Sequence, residues 1–294
     1  MLASRHQVGS RALSRKTSPA VYRATMHNKP SVACQALEDP KKSAAKLFCD
    51  TYVKDNTVIG AGSGELSSLV IESIGARLAS GQLKGVQVVP CSTGSAAEAA
   101  FCGVPTHPNS EQALQAGLDL AFEEADQLDV GNNACILGIR SEPQQPALLS
   151  TFTVAKRARQ FILLVNKDNL VQRLRGPLPV LIEDQTWEET AEEVDDLVVG
   201  DAEVSRRPVS GMMNPDFKGG SHPYISDEGH NIIDIAYDPD IRLFGEAVPY
   251  GQVLENISSI PGVVLTGLLQ GLAQAALVVK PEGPKVISLE QKKA

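Results

Sequence analysis

What the chain lacks narrows its class before any motif is read. No stretch approaches the roughly 18 to 20 uninterrupted apolar residues of a membrane-spanning helix, and the longest apolar runs are short, such as Ala275 to Val279. A soluble globular chain with no membrane partner is expected. None of the five cysteines, Cys34, Cys49, Cys91, Cys102 and Cys135, forms a C-x-x-C pair, and no histidine stands at a metal-ligand spacing from them. A metal site is not expected; buried free thiols are. A redox link between Cys91 and Cys102 fits an organelle, but eleven positions of separation fix no geometry. Aromatics are scarce at 4%, yet 43% hydrophobic residues among 294 suffice for one large domain or two smaller ones.

Acidic residues are missing before Glu38, where Arg5, Arg11, Arg15, Lys16, Arg23 and Lys29 lie among many Ser, Ala and Thr. Residues 1–37 read as an organellar transit peptide, basic and removable, with "SVACQA" suiting cleavage around Ala33 or Cys34. The alternative is a disordered basic arm for nucleic acid, which nothing downstream supports. Setting those six residues aside lowers the 27 Lys and Arg to 21 against 35 Asp and Glu, a balance of −14. So acidic a chain is not expected to bind nucleic acid through a general basic surface.

The chain does have a glycine-rich turn, "VIGAGSGELSSLV" over residues 58–70. A β-branched run, closely spaced glycines and a helical repeat at Leu66, Leu69, Val70, Ile74 and Leu78 describe a βα unit whose loop cradles an anion. Gly60, Gly62 and Gly64 do not form a dinucleotide fingerprint, because the third glycine is one place early for G-x-G-x-x-G. Further strands are expected at 86–90, 118–122 and 160–165, with helices at 95–103 and 148–159 between them. Strands separated by helices imply an α/β fold, a Rossmann-like parallel sheet with helices on both faces. From Leu178 the texture changes to "LPVLI", the acidic helix "TWEETAEEVDDL" and "PYISDEGHNIIDIAY", read as a hairpin turning at Asp227 to His230. The expected organisation is residues 38–177 and 262–294 in the Rossmann-like domain, with a smaller α+β (ferredoxin-like) domain inserted at 178–261. The acidic run is read as a solvated helix face, and His107, His222 and His230 as surface residues.

These segments carry a resemblance. "LDLAFEEADQLD" (118–129) is similar to L-D-L-A-I-D-G-A-D-E-V-D of type A ribose-5-phosphate isomerases, especially the plant forms. The glycine loop resembles their G-x-G-T-G-S-T-A, and "VPCSTGSAAEAA" their P-T-S-x-R-T-A-E-Q-A. "PYISDEGHNIID" and "IPGVVLTGLL" resemble T-D-N-G-N-x-I-x-D and I-P-G-V-V-x-x-G-L-F. The likeness runs in order from about Ala44 to the C-terminus.

The resemblance implies a chemistry that uses no cofactor and no metal. An Asp opens the ring of ribose 5-phosphate, a Glu moves a proton between C1 and C2, a Lys steadies the enediolate, and the glycine loop holds the phosphate. Carried over by residue, much of this is altered. The ring-opening Asp is Glu123, the following Gly is Glu124, Asp126 is kept, and the last Glu is Gln127. The base position of A-L-L-R-E-K is Thr151, the Lys-Gly-x-Gly-Gly segment is matched by Glu142 to Pro146, and Asn169 stands where a further Lys is usual. Arg140 is near the same place in sequence.

The loop's Ser and Thr are Glu65 and Leu66, so Glu65 is expected to fill the anion site with the protein's own charge, favoured by the helix dipole. Candidate catalytic residues are Glu123, Asp126 and Glu142; candidate ligand-binding residues are Gly60, Gly62, Ser63, Gly64, Glu65 and Ser92. Three functions follow: an isomerase-family protein in the chloroplast stroma that has lost the reaction and persists as a binding, regulatory or structural subunit; an active isomerase with substituted carboxylates; or a sensor of another small ligand. A sugar phosphate or other small molecule and a homo- or hetero-oligomeric partner are the expected interactions.

Overall fold

The computed structural model describes residues 39–139, 147–198, 202–209 and 222–289. The segment 1–37 therefore lies outside the described residues, as do Arg140, Glu142 and the stretch to Pro146.

The chain enters through helix α1 (Pro40–Tyr52), whose first turn is set by Pro40 and by the Asp39 carboxylate accepting from the Lys41 amide at 2.9 Å. The main sheet follows. Its strands are β1 (Val58–Ala61), β2 (Gln87–Pro90), β3 (Leu120–Glu124), β6 (Phe161–Asn166), β15 (Ala275–Val279) and β16 (Lys285–Ser288), in the order β16-β15-β6-β3-β1-β2. All neighbours pair in parallel except β16, which runs antiparallel on the edge.

Strand alternation sorts the side chains into two layers. Leu120, Phe122, Ile162, Leu164, Leu277 and Val279 pack against α1, α2 (Glu65–Ala79) and α3 (Thr93–Phe101). Ala121, Phe161, Leu163, Val165 and Ala276 pack on the opposite face with α4 (Ser110–Ala116) and α5 (Leu148–Arg157). Near-continuous apolar runs such as "FILLV" are the sequence mark of a sheet covered on both sides. The fold is thus the Rossmann-like α/β class expected.

A second sheet is built by β8 (Leu178–Ile182), α6 (Trp187–Leu197), β9 (Ala202–Arg206), β10 (Asn231–Tyr237), α7 (Tyr250–Ser258) and β13 (Val263–Thr266). Its antiparallel order β13-β8-β10-β9 makes the chain sequence β-α-β-β-α-β, a ferredoxin-like unit. Val180, Ile182, Val194, Ile233, Ile235, Val253 and Ile257 form its core. "LPVLI" and "NIIDIAY" pair directly, Ile232 opposite Leu181. The unit thus runs past the expected boundary at 261, because β13, expected in the main domain, pairs with β8; it ends at Thr266, and the main sheet takes the chain back at Ala275. A two-stranded ribbon, β11 (Arg242–Leu243) with β12 (Glu246–Ala247), lies between β10 and α7 in sequence.

Two further details differ from expectation. "PYISDEGHNIIDIAY" is not an extended hairpin: the turn closes through Ser226 and His230, the two sides share only the Ile225 to Asn231 bridge, and β10 pairs instead with β8 and β9. Pro223 offers no amide to a ladder, and Tyr224 bonds Arg207 instead. The second detail is a small sheet that the patterning does not announce, in the order β14-β5-β4-β7: β14 (Leu268–Gln270), β5 (Ala134–Ile136), β4 (Gln127–Asp129) and β7 (Leu170–Val171). Strands of two or three residues carry no period to read.

Candidate functional site

The glycine loop leaves β1 at the carboxyl end of the main sheet, beside the ends of β2, β3 and β6, the place where open α/β sheets bind ligands. Two glycines there answer geometric needs. A Cβ on Gly62 would stand 2.3 Å from the Phe122 carbonyl oxygen and 2.9 Å from Glu123 Cδ. Gly64, the N-cap of α2, has φ 101° and ψ 174°, a conformation that L side chains rarely adopt. Ser63 reaches the start of α3, its hydroxyl donating to Ser92 Oγ at 2.9 Å, and Ser92 in turn caps α3 in a reciprocal box with Ser95.

At the end of β3 the two glutamates are split between the faces. Glu123 follows Ala121 toward α5, and Glu124 follows Phe122 toward α2, each almost fully buried. Glu123 Oε1 accepts the Ser63 amide at 2.8 Å and the Glu124 amide at 3.1 Å, and its Oε2 accepts the Thr151 hydroxyl at 3.0 Å. Glu124 Oε2 accepts the Leu66 amide at 2.8 Å, with Asn166 Nδ2 at 3.4 Å from Oε1. The amides at the loop and the start of α2 thus donate to carboxylates from β3.

Glu65 has a different place from the one expected. It is 65% exposed and forms an ion pair with Lys41 of α1, so it does not supply the charge at those amides. It is the first residue of α2, while the alternation of β3 brings the carboxylates of Glu123 and Glu124 to the loop amides. Neither the Thr151 bond nor the Asn166 contact was legible in the sequence, since each spans distant segments. The one available signal was the strand itself, because two successive acids on a strand must face opposite layers.

Asp126 sits between β3 and β4; its Oδ2 accepts the Ile139 amide at 2.9 Å. That segment is fastened from the ferredoxin-like unit by the buried Arg207, whose Nη1 donates to the Gly138 carbonyl at 2.7 Å while Nε donates to Asp234 at 2.8 Å. Asn169, at the position of a family lysine, donates to the Ala125 carbonyl at 3.3 Å. Burial pushes the Cys91 thiol well above its ordinary range, with the charge of Glu123 adding and a Thr151 hydrogen bond opposing. Burial likewise drives Cys135 up to about 12, reinforced by Asp126 and Glu123. Both thiols are free, as are Cys49 and Cys102. Among the described residues, no group of three or more His, Cys, Asp or Glu side chains is arranged to hold a metal ion, and no helix is long and apolar enough to cross a membrane.

A doubly covered parallel sheet with a glycine loop at the carboxyl end of its first strand, and an inserted β-α-β-β-α-β unit, defines a Rossmann-like α/β protein. Comparison gives the family. The family model for ribose 5-phosphate isomerase A (phosphoriboisomerase A) matches residues 87–283. A ribose-5-phosphate isomerase A of Synechococcus sp. (strain RCC307) is 31% identical over 246 residues, covering 82% of this chain and 92% of its own. That of Deinococcus radiodurans is 30% identical, covering 84% and 96%. Among solved structures, the ribose 5-phosphate isomerase A of Methanocaldococcus jannaschii superposes with a TM-score of 0.69 at 26% identity, over 85% of this chain and 99% of that one. A D-ribose-5-phosphate isomerase in complex with phospho-erythronic acid also gives 0.69, at 27% identity, over 84% and 97%. The chain belongs to the ribose-5-phosphate isomerase A family.

Proposed function

We propose that this family member does not interconvert ribose 5-phosphate and ribulose 5-phosphate, and that it persists in the chloroplast stroma as a binding, regulatory or structural subunit. One observation carries the reading: at the position of the family's general base stands Thr151, whose hydroxyl donates to Glu123 Oε2 at 3.0 Å. A threonine hydroxyl takes no proton near neutral pH, and here its own proton is directed at the residue in the ring-opening position. A general base contributes about 10² to 10⁴ in rate, and groups that act together lose nearly the whole effect when one goes. The donation of the Ser63 and Leu66 amides to Glu123 and Glu124, and Asn169 at a lysine position, support the same reading. The stromal location rests on the basic, acid-free composition of residues 1–37.

A coupled assay on the chain from about residue 38, with ribose 5-phosphate as substrate, tests the chemistry. Background rates are expected. Turnover at a typical enzyme rate of about 1 s⁻¹ or faster, falling on Glu123→Gln, would replace this reading with an isomerase that uses substituted carboxylates. Affinity capture of the tagged chain from chloroplasts, against stroma from an untagged line, tests the subunit role by the appearance of a stoichiometric partner. Residues 1–37 fused to a fluorescent reporter should enter plastids; cytosolic fluorescence removes the stromal assignment.

A further inference from the structure

We propose that Glu124, with Glu123, is a built-in anion: the loop between β1 and α2 keeps a phosphate-type nest of amides, and the chain's own carboxylates occupy it in place of an external ligand. The inference rests on the family reading of the loop and does not require that the protein be inactive.

Four observations meet here. The amides of Ser63 and Leu66, the groups that a helix N-terminus offers to an anion, each donate at 2.8 Å to a carboxylate oxygen. The two carboxylates come from consecutive residues on opposite faces of β3, so that one reaches the loop and the other the first turn of α2. Both side chains are almost fully buried, which a carboxylate tolerates only where donors compensate its lost hydration. The fit is close, because Gly62 leaves no room for even a methyl group between the loop and Glu123. Glu65, the acid that lies within the loop sequence, has no part in it, being exposed and paired with Lys41.

The chemistry is that of competitive self-occupancy. A carboxylate held on a strand competes with any free anion at an effective concentration above the roughly millimolar range of flexible tethers. A phosphate about 5 Å from one of these charges, at an effective dielectric near 20, is also repelled strongly enough to lose more than about a hundredfold in affinity. The substitution that closed the loop is then Glu124, where the resembling motif has glycine.

The test uses inorganic phosphate on the full mature chain, with sodium chloride at matched ionic strength as the blank. In Glu123→Asp/Glu124→Gly, phosphate should move the Ser63 and Leu66 amide resonances and raise Tm by about 3 to 6 °C once it exceeds its dissociation constant tenfold. The wild-type chain and Glu65→Gln should show neither effect. Phosphate shifts at those two amides in the wild type overturn the proposal, and so does a folded double variant that ignores phosphate. If the double variant does not fold, amide exchange in the wild type decides: Ser63 and Leu66 exchanging at unstructured rates would refute an occupied nest, whereas protection of both that is lost at Leu66 alone in Glu124→Ala supports it. Isomerase turnover by the wild type would overturn the reading of inactivity and leave this test standing. Phosphate on the wild-type loop of an inactive chain would overturn this inference alone.

Discussion

Replacing Thr151 by glutamate restores the family's base by residue type, and the structure shows why it will not restore a site. Thr151 Oγ1 lies 3.0 Å from Glu123 Oε2 in a buried setting, so the substitution removes a hydrogen bond and brings a second carboxylate against the first. Two carboxylates about 3.5 Å apart at an effective dielectric near 20 repel by about 5 kcal/mol. Holding one of them protonated at pH about 7.4, against an ordinary glutamate value near 4.3, costs about 4 kcal/mol. The cheaper route prevails. With the lost hydrogen bond, Thr151→Glu should destabilise the fold by about 3 to 5 kcal/mol at that pH. The sign with pH follows from linkage: the pair titrates higher in the folded than in the unfolded chain, so the penalty is full above the raised folded value and disappears below about 4.3. Urea unfolding at about pH 7.4 and about pH 4.5 should therefore show the deficit shrinking to about 1 to 2 kcal/mol at the lower pH. Ribose 5-phosphate turnover should stay at background. An equal deficit at both pH values, or none at either, would refute the placement of Thr151 against Glu123.

Two further outcomes are expected. Ser67, on the buried face of α2, is fully enclosed and its hydroxyl has no hydrogen-bond partner, so Ser67→Ala should stabilise by about 1 to 2 kcal/mol and raise Tm by several degrees in a thermal melt; a fall in Tm would mean that the hydroxyl is satisfied. Cys102 is partly exposed and its thiol is pushed up to about 11 by burial and by Glu98, which accepts from Sγ at 3.2 Å. Iodoacetamide labelling at this site, followed by peptide mass spectrometry, should be slow near neutral pH and climb toward about 11, with Glu98→Gln labelling faster at each pH; a rate independent of pH would contradict it.

The two layers of the main sheet were legible because their signal is local. "VIGAGSG", "FILLV" and "AALVV" are apolar runs bounded by turn residues, and a strand covered on both faces has no other way to read. The ferredoxin-like unit was legible for the same reason, as short strands and two helices with a change of texture at Leu178. The short strands around Gln127 to Ile136 were not, since three residues carry no period and their partners, Leu170–Val171 and Leu268–Gln270, lie far along the chain. The expected hairpin is reduced to a single bridge because both edges of β10 are taken by β8 and β9, strands that lie elsewhere in the sequence.

At the candidate site the division is sharper. The sequence by itself determined the residue types: a glycine loop with Glu65 and Leu66 where Ser and Thr are usual, two consecutive glutamates at the end of β3, and threonine where a base is usual. It also determined that the two glutamates face opposite layers, because strand geometry alternates whatever the surroundings. Which acid meets the loop amides was decided only in three dimensions. Glu65 is nearest in sequence and favoured by the helix dipole, yet it turns to Lys41, while Glu123 and Glu124 reach the amides from some sixty residues away. The reason is solvation. An exposed first-turn glutamate finds a lysine and water at little cost, whereas carboxylates buried at a sheet end must take the donors that packing brings to them, and the loop's amides are those donors.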